Sequence, residues 1–194
     1  RLTRQYDYLY GAVGSHPDVA DEVNGEVLEE YRKLCKQNHK LKAIGEIGLD
    51  YHYDLSPRDV QREVFARQLD LAYTLKKPVI LHIREAHGDA TDILTRQVRA
   101  GRMPDGIMHC YTGSWEAAKV YLDFGLYISF SGAITFKNAP KLKATDVHVH
   151  LLDVLQPEDL KGMTAVNIGN RVHEMMAQDL GPDLVYPLEN AENT

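Results

Sequence analysis

Five times in this chain a short apolar run is followed by a polar or helix-period segment, and that alternation limits the folds open to it. "LYGAVG" (9–14) reads as a strand, and "NGEVLEEYRKLCKQNH" (24–39) then places Val27, Leu28, Tyr31, Leu34 and Cys35 at helical spacing. "KAIGEIGL" is a second expected strand. "SPRDVQREVFARQLDLAYTLKK" (56–77) is the clearest helix: Ser56 is placed to cap it, Pro57 suits its first turn, Asp59 favours its positive end, and Val60, Val64, Leu71 and Leu75 make a buried stripe. The pattern continues through "PVILHI" (78–83), a helix from about Gly88 to Val98, "GIMHC" (106–110), a helix from Ser114 to about Phe124 stopped by Gly125, and "LYISFSG" (126–132). Apolar strands alternating with amphipathic helices predict a parallel sheet covered by helices.

An open doubly wound sheet and a closed eight-stranded barrel both satisfy that alternation. The open sheet's best signal, a glycine-rich phosphate loop after the first strand, is absent. Instead, polar residues recur where strands end: Glu46 before Gly48 and Asp50, His82 before Arg84, His109 before Tyr111, and Ser129 before Gly132. In a barrel the carboxyl ends of the strands share one face, and that face carries the chemistry. The expected fold is therefore a TIM-type (β/α)8 barrel on which Glu46, His82 and His109 converge. One carboxylate and two imidazoles are ordinary ligands of a divalent metal such as Zn or Mn. Each histidine taken alone is more often a satisfied core residue than a ligand; it is the recurrence at successive strand ends that points to a metal. Asp50, His52, Arg84 and His87 lie just past those strands, in positions for outer ligand contacts or substrate, or for plain loop roles. His16 in "VGSHPD" also follows a strand, and the proline after it suggests a turn residue.

Length and charge narrow the function classes. A chain of 194 residues that is 44% hydrophobic suits one core, and residues 1–194 are expected to form a single domain. The net charge of −6 provides no basic field, so a nucleic-acid partner would have to be gripped by a local site. Cys35 and Cys110 make neither a disulfide framework nor a zinc pattern, and no run is apolar enough for a membrane span. A reducing, cytoplasmic setting is expected, with no membrane contact and no inferable protein partner. The chain opens on "RLTRQYDYLY" without an initiator Met or signal peptide, and is expected to be a fragment lacking its true start.

Several of these stretches carry a resemblance that spacing alone does not supply. "YGAVGSHP", "IGEIGLDYH", Gln61 with Phe65 and Gln68, "KPVILHIREAHGDATDIL", "HCYTGS" and "YISFSGAITFKNAPKL" resemble, in order and across roughly residues 5–143, motifs of the TatD family of metal-dependent deoxyribonucleases. The resemblance implies a barrel of the amidohydrolase type, one or two divalent ions (Zn, Mg or Mn), and hydrolysis of phosphodiester bonds with DNA as substrate. It implies that Glu46 bridges metal and serves catalysis, that His82 and His109 ligate metal, and that Arg84, Tyr111 and Ser114 neighbour the substrate.

The departures from the family pattern matter as much. Members begin with a strand bearing Asp-x-His-x-His, and this chain starts after that point, so its barrel is expected to be incomplete. Members also carry Glu-Thr-Asp late in the chain, with the Asp as a ligand and proton acceptor; the nearest match is Glu158 and Asp159 in "VLQPEDLKG", which makes Asp159 the catalytic candidate. "TDVHVHLLD" (145–153) has the form of the missing first-strand motif in Asp146, His148 and His150. It fits either a rearranged chain whose ligand strand comes late or, as its uninterrupted position after "FKNAPKL" favours, an in-line connection. Three functions stay open: a TatD-type nuclease, a metal hydrolase of a small ester, amide or lactone, and a binding-only relative.

Overall fold

The computed structural model describes residues 2–132, within a compact unit spanning Arg1–Asp146. A short helix α1 (Leu2–Gln5) precedes β1 (Gly11–Val13) and a 3-10 turn (Pro17–Glu22). Then follow α2 (Gly25–Gln37), β2 (Leu41–Asp50), α3 (Arg58–Leu75), β3 (Val79–Arg84), α4 (His87–Arg99), β4 (Gly106–Met108), α5 (Trp115–Asp123) and β5 (Tyr127–Ile128). The five strands pair in the order β1-β2-β3-β4-β5, every pair parallel. Each strand lies beside the next in sequence, and among the described residues there is no reversal of the kind that defines a doubly wound sheet. This sequential winding is that of the (β/α)8 barrel.

Most elements form where the sequence places them, but α1 and the 3-10 turn are additional, and β5 spans only Tyr127–Ile128 of the strand expected over 126–132. Asn24 opens α2 by accepting the Glu26 and Val27 backbone N–H groups at 2.9 and 3.1 Å. Strand β3 alternates as its period-2 pattern requires: Val79, Leu81 and Ile83 are buried, while Ile80, His82 and Arg84 lie on the opposite face, half-buried. One core cluster joins Ile44, Ile47 and Leu49 of β2 and Leu81 of β3 to Phe65, Leu69 and Ala72 of α3 and Tyr121 of α5. Burial of a side chain the size of Phe65 contributes about 1.5 to 3 kcal/mol. On α3 the buried face is broader than the expected stripe: Phe65 and Leu69 join Val64 and Leu71, and Val60 and Leu75 sit at its half-buried margin.

Ser56 departs from its expected role. The capping position of α3 falls on Pro57, with no side-chain cap. The buried Ser56 hydroxyl turns instead to the 3-10 turn, donating to the Asp18 carbonyl and lying 2.9 Å from Asp21 Oδ1. A buried hydroxyl takes the partner that packing brings to it, and here tertiary packing outweighs the local cap.

Two buried glutamines on α3 explain the spacing of that motif. Gln68 Oε1 accepts the Ser15 N–H at 2.8 Å and its amide donates to the Ser15 carbonyl at 3.0 Å. One turn pair earlier on the same helix, Gln61 Oε1 accepts the Asp50 N–H at 2.9 Å, and its amide donates to the carbonyls of Asp50 and Ser56 at 3.2 and 2.8 Å. Each amide satisfies both backbone groups of a residue leaving the sheet, where no neighbouring strand can. Gln68→Leu keeps the volume but strands a buried N–H and a buried C=O. It is expected to destabilise the chain by about 2 to 5 kcal/mol, visible as a lowered urea midpoint. An unchanged midpoint would show that the pair adds nothing to stability.

Candidate metal centre

The segment after β1, the interior of β2 and the C-terminal half of β3 bring three side chains together. Among the described residues, His16, Glu46 and His82 each offer one ligand atom, and these atoms all lie within 4.8 Å of one another. His16 follows β1 and caps the 3-10 turn, its Nδ1 accepting the Asp18 N–H at 3.3 Å. Its ring lies 4.4 Å from that of His82, centroid to centroid. Glu46 is half-buried among the otherwise buried residues Ala43–Asp50 of β2, and its Oε1 lies 3.4 Å from His82 Nδ1. His109 sits one residue beyond β4, with Nε2 3.9 Å from Glu46 Oε1 and 3.2 Å from Cys110 Sγ.

The register of the sheet sets these distances. His82 is paired with Gly48, and Leu81 with Met108, so His109 follows beside His82; the pairing of β2 with β3 is irregular between Ile44 and Ile47, the stretch that carries Glu46. At Gly48 the backbone has φ +148°, and a Cβ would lie 1.9 Å from the His82 carbonyl oxygen. Glycine is what allows β2 and β3 to approach so closely beside the two ligand candidates. The turn after β4 is held by Ser129, whose hydroxyl accepts the Cys110 N–H at 3.1 Å while its carbonyl accepts the Tyr111 N–H at 2.8 Å. Cys110 there has φ +49°, and Glu85, directly after β3, has φ +54°.

Asp50 closes β2 and is 1% exposed. Its Oδ2 is 2.8 Å from His82 Nε2, and its Oδ1 accepts the N–H groups of His52 and Tyr53, both at 2.9 Å. Burial opposes the charge of this carboxylate. The Tyr53 N–H, the His82 ring and the His52 N–H together outweigh that and hold its carboxyl below the usual range.

The remaining expected site residues are placed as follows. The Arg84 guanidinium lies 4.8 Å over the Tyr53 ring. Tyr111 is buried, its hydroxyl donating to the Ser114 carbonyl at 2.5 Å, and burial pushes that hydroxyl's pKa up. Ser114 caps α5 by accepting the Ala117 N–H at 3.3 Å. His52 is exposed and lies 3.0 Å from Glu85, and His87 Nδ1 lies 3.0 Å from the Tyr121 hydroxyl. Asp159, with Asp146, His148, His150 and Glu158, lies outside the described residues. His16, which the sequence suggests as a turn residue, both caps the 3-10 turn and is brought beside Glu46 and His82; its sequence signal is a histidine after a strand, and the proline that follows suits a plain turn as well.

A parallel α/β barrel whose strand ends gather imidazoles and a carboxylate defines a class of protein with a metal-binding rim. Imidazole nitrogen and carboxylate oxygen are the right donors for one divalent ion, and the spacing of His16, Glu46 and His82 suits them to share it. Within that class, the chain belongs to the TatD related DNase family, whose model matches residues 1–161. It is similar to the uncharacterized metal-dependent hydrolase YabD of Bacillus subtilis, at 43% identity over 142 residues, covering 73% of this chain and 54% of the relative. It is also similar to the 3'-5' ssDNA/RNA exonuclease TatD of Pantoea ananatis, at 36% identity over 126 residues, covering 65% of this chain and 47% of the relative. Among solved structures it resembles YJJV, a TatD homologue from Escherichia coli K12, with a TM-score of 0.68 and 27% identity over 91% of this chain and 71% of that one. The chain spans about half the length of the curated relatives it matches.

Proposed function

We propose that this chain carries the metal-binding rim of a hydrolase that cleaves phosphodiester bonds in nucleic acid, DNA in the first instance. The observation that carries the reading is the convergence within 4.8 Å of His16, Glu46 and His82, which come from three successive strands or the segment just after one. Glu46 would supply a carboxylate oxygen, His82 and His16 an imidazole nitrogen each, and His109 is the further imidazole within reach of Glu46. A divalent cation held there supplies Lewis acidity toward a phosphodiester and acidifies water.

The chain's own residues do the rest. Glu46 and His82 have side chains 33% and 22% exposed, so they meet solvent at an open rim that a polymer can approach. Arg84, two residues beyond His82 on the same face of β3, offers a cation to phosphate oxygen, and the Tyr53 ring beneath it limits its conformations. This local cation supplies what a net charge of −6 withholds. Exposed Tyr53 presents an aromatic surface beside it of the kind on which unpaired bases stack.

The test is metal content per chain by elemental analysis, on the 194-residue chain beside His82→Ala, with cleavage of a 3'-tailed DNA duplex in added Mg or Mn. Near-stoichiometric metal that is lost in His82→Ala, together with cleavage, is the expected result. Turnover of a small ester without DNA cleavage would replace the nuclease reading with that of another metal hydrolase. Absence of both metal and turnover would overturn the enzymatic reading and leave a binding-only relative.

A further inference from the structure

From the contacts of the buried carboxylate that ends β2, we infer that Asp50 is a positioning residue: it selects the ring tautomer of His82 that can bind metal and ties that ring to the β2–α3 loop. The inference rests on the metal-site reading above. A neutral imidazole carries one proton, and the nitrogen without it is the one able to bind a cation. His82 has a carboxylate at each nitrogen: Asp50 Oδ2 at 2.8 Å from Nε2, and Glu46 Oε1 at 3.4 Å from Nδ1. The shorter contact has hydrogen-bond length, and the longer one does not. The proton therefore sits on Nε2 and is donated to Asp50, so the lone pair of Nδ1 faces Glu46 across the space that His16 also borders. A histidine whose far nitrogen donates to a carboxylate is oriented for metal and made more basic toward it.

Asp50 is itself held on every side. Its Oδ1 accepts the His52 and Tyr53 N–H groups at 2.9 Å, and its backbone N–H and carbonyl are both taken by Gln61. A carboxylate so fixed cannot follow the ring; the ring must conform to it. Tyr53, which underlies Arg84, is thereby linked through one side chain to His82.

Those contacts make Asp50→Asn informative, because the two backbone N–H groups require an acceptor and keep the amide oxygen where Oδ1 now lies. The amide NH2 then faces His82 Nε2, which must accept. The proton moves to Nδ1, pointing at Glu46, and the fold is retained while the ligand nitrogen is blocked. Affinity for Mn2+ alone, titrated on the full chain, is expected to fall about 10- to 100-fold in Asp50→Asn, and to be lost in His82→Ala. Long-range 1H–15N correlation of the histidine rings in the metal-free wild type is expected to show His82 protonated at Nε2, and at Nδ1 in Asp50→Asn. Wild-type affinity in a folded Asp50→Asn, or a wild-type His82 protonated at Nδ1, would overturn the inference. Should the wild type fail to take up Mn2+, the metal-site reading falls, and the ring spectrum still decides the tautomer in the wild type, where no variant has to fold.

Discussion

Glu46→Gln is expected to abolish metal-stimulated cleavage while leaving the fold intact. The amide matches the carboxylate in size, so packing against the half-buried rim is unchanged. What disappears is the anionic oxygen that lies within 3.4 Å of His82 and 3.9 Å of His109. Three imidazoles without a carboxylate leave the charge of a divalent ion uncompensated, and hard cations such as Mg or Mn depend on oxygen donors. Loss of an outer partner of a metal ligand costs roughly 10- to 100-fold, and on the proposal that Glu46 touches the ion its loss is expected to exceed that. The measurement is kcat/KM on the tailed duplex at saturating Mn, with metal content and melting temperature determined on the same preparation. Cleavage within tenfold of wild type would remove Glu46 from the site.

Gly48→Ala is expected to be the most disruptive small substitution in the described sheet. At φ +148° an L side chain is strained, and its Cβ would meet the backbone carbonyl of His82 at 1.9 Å. That obstacle is not the end of a flexible side chain that can swing away. Backbone strain of about 1 to 3 kcal/mol and a clash of about 1 to 3 kcal/mol act together. The expected loss is about 2 to 6 kcal/mol, a large share of the 5 to 15 kcal/mol that holds a typical domain together. A fall in melting temperature on the order of 10 °C follows. Gly88→Ala is the control, since nothing lies within 4 Å of its added Cβ and alanine favours the helix in which it sits. Equal melting of the two variants would show that the close approach of β2 and β3 at His82 is not a constraint on the fold.

Much of the architecture was legible in the residues because local physics and tertiary structure agree there. The short apolar runs "KAIGEIGL" and "PVILHI" and the helical spacing in "VQREVFARQLDLA" each report a surface meeting the core, and strands β2 and β3 and helix α3 lie where they predict. Ser56 shows where such reading stops: serine before proline is a sound cap signal, yet its hydroxyl bonds across the fold to Asp18 and Asp21. Gln61 and Gln68 are a similar case. Polar residues on the buried face of a helix break the expected stripe, and their purpose emerges only when the backbone of Asp50 and Ser15 is found between their amide atoms.

The same division runs through the candidate site. That Glu46, His82 and His109 lie in the later part of successive strands or just past one was written in the order of residues, because parallel strands carry the polar residues of their C-terminal halves toward one rim. Which of them meet was not, because contact depends on inter-strand register, ring direction and reach, and none of these is a property of one strand. The fold placed His16 with Glu46 and His82 and set His109 at their edge, 3.9 Å from the shared carboxylate. It also turned Asp50, which in sequence suits an outer ligand contact, a substrate group or a plain loop role alike, inward to the far nitrogen of His82. Sequence by itself determined the alternation, the parallel sheet and the chemical kinds of residue at the rim, since these follow from periods of two and 3.6 and from donor type. Only tertiary structure decided the set of side chains that converge, since that set is fixed by how β2 packs on β3 at a glycine and how α3 holds the end of β2.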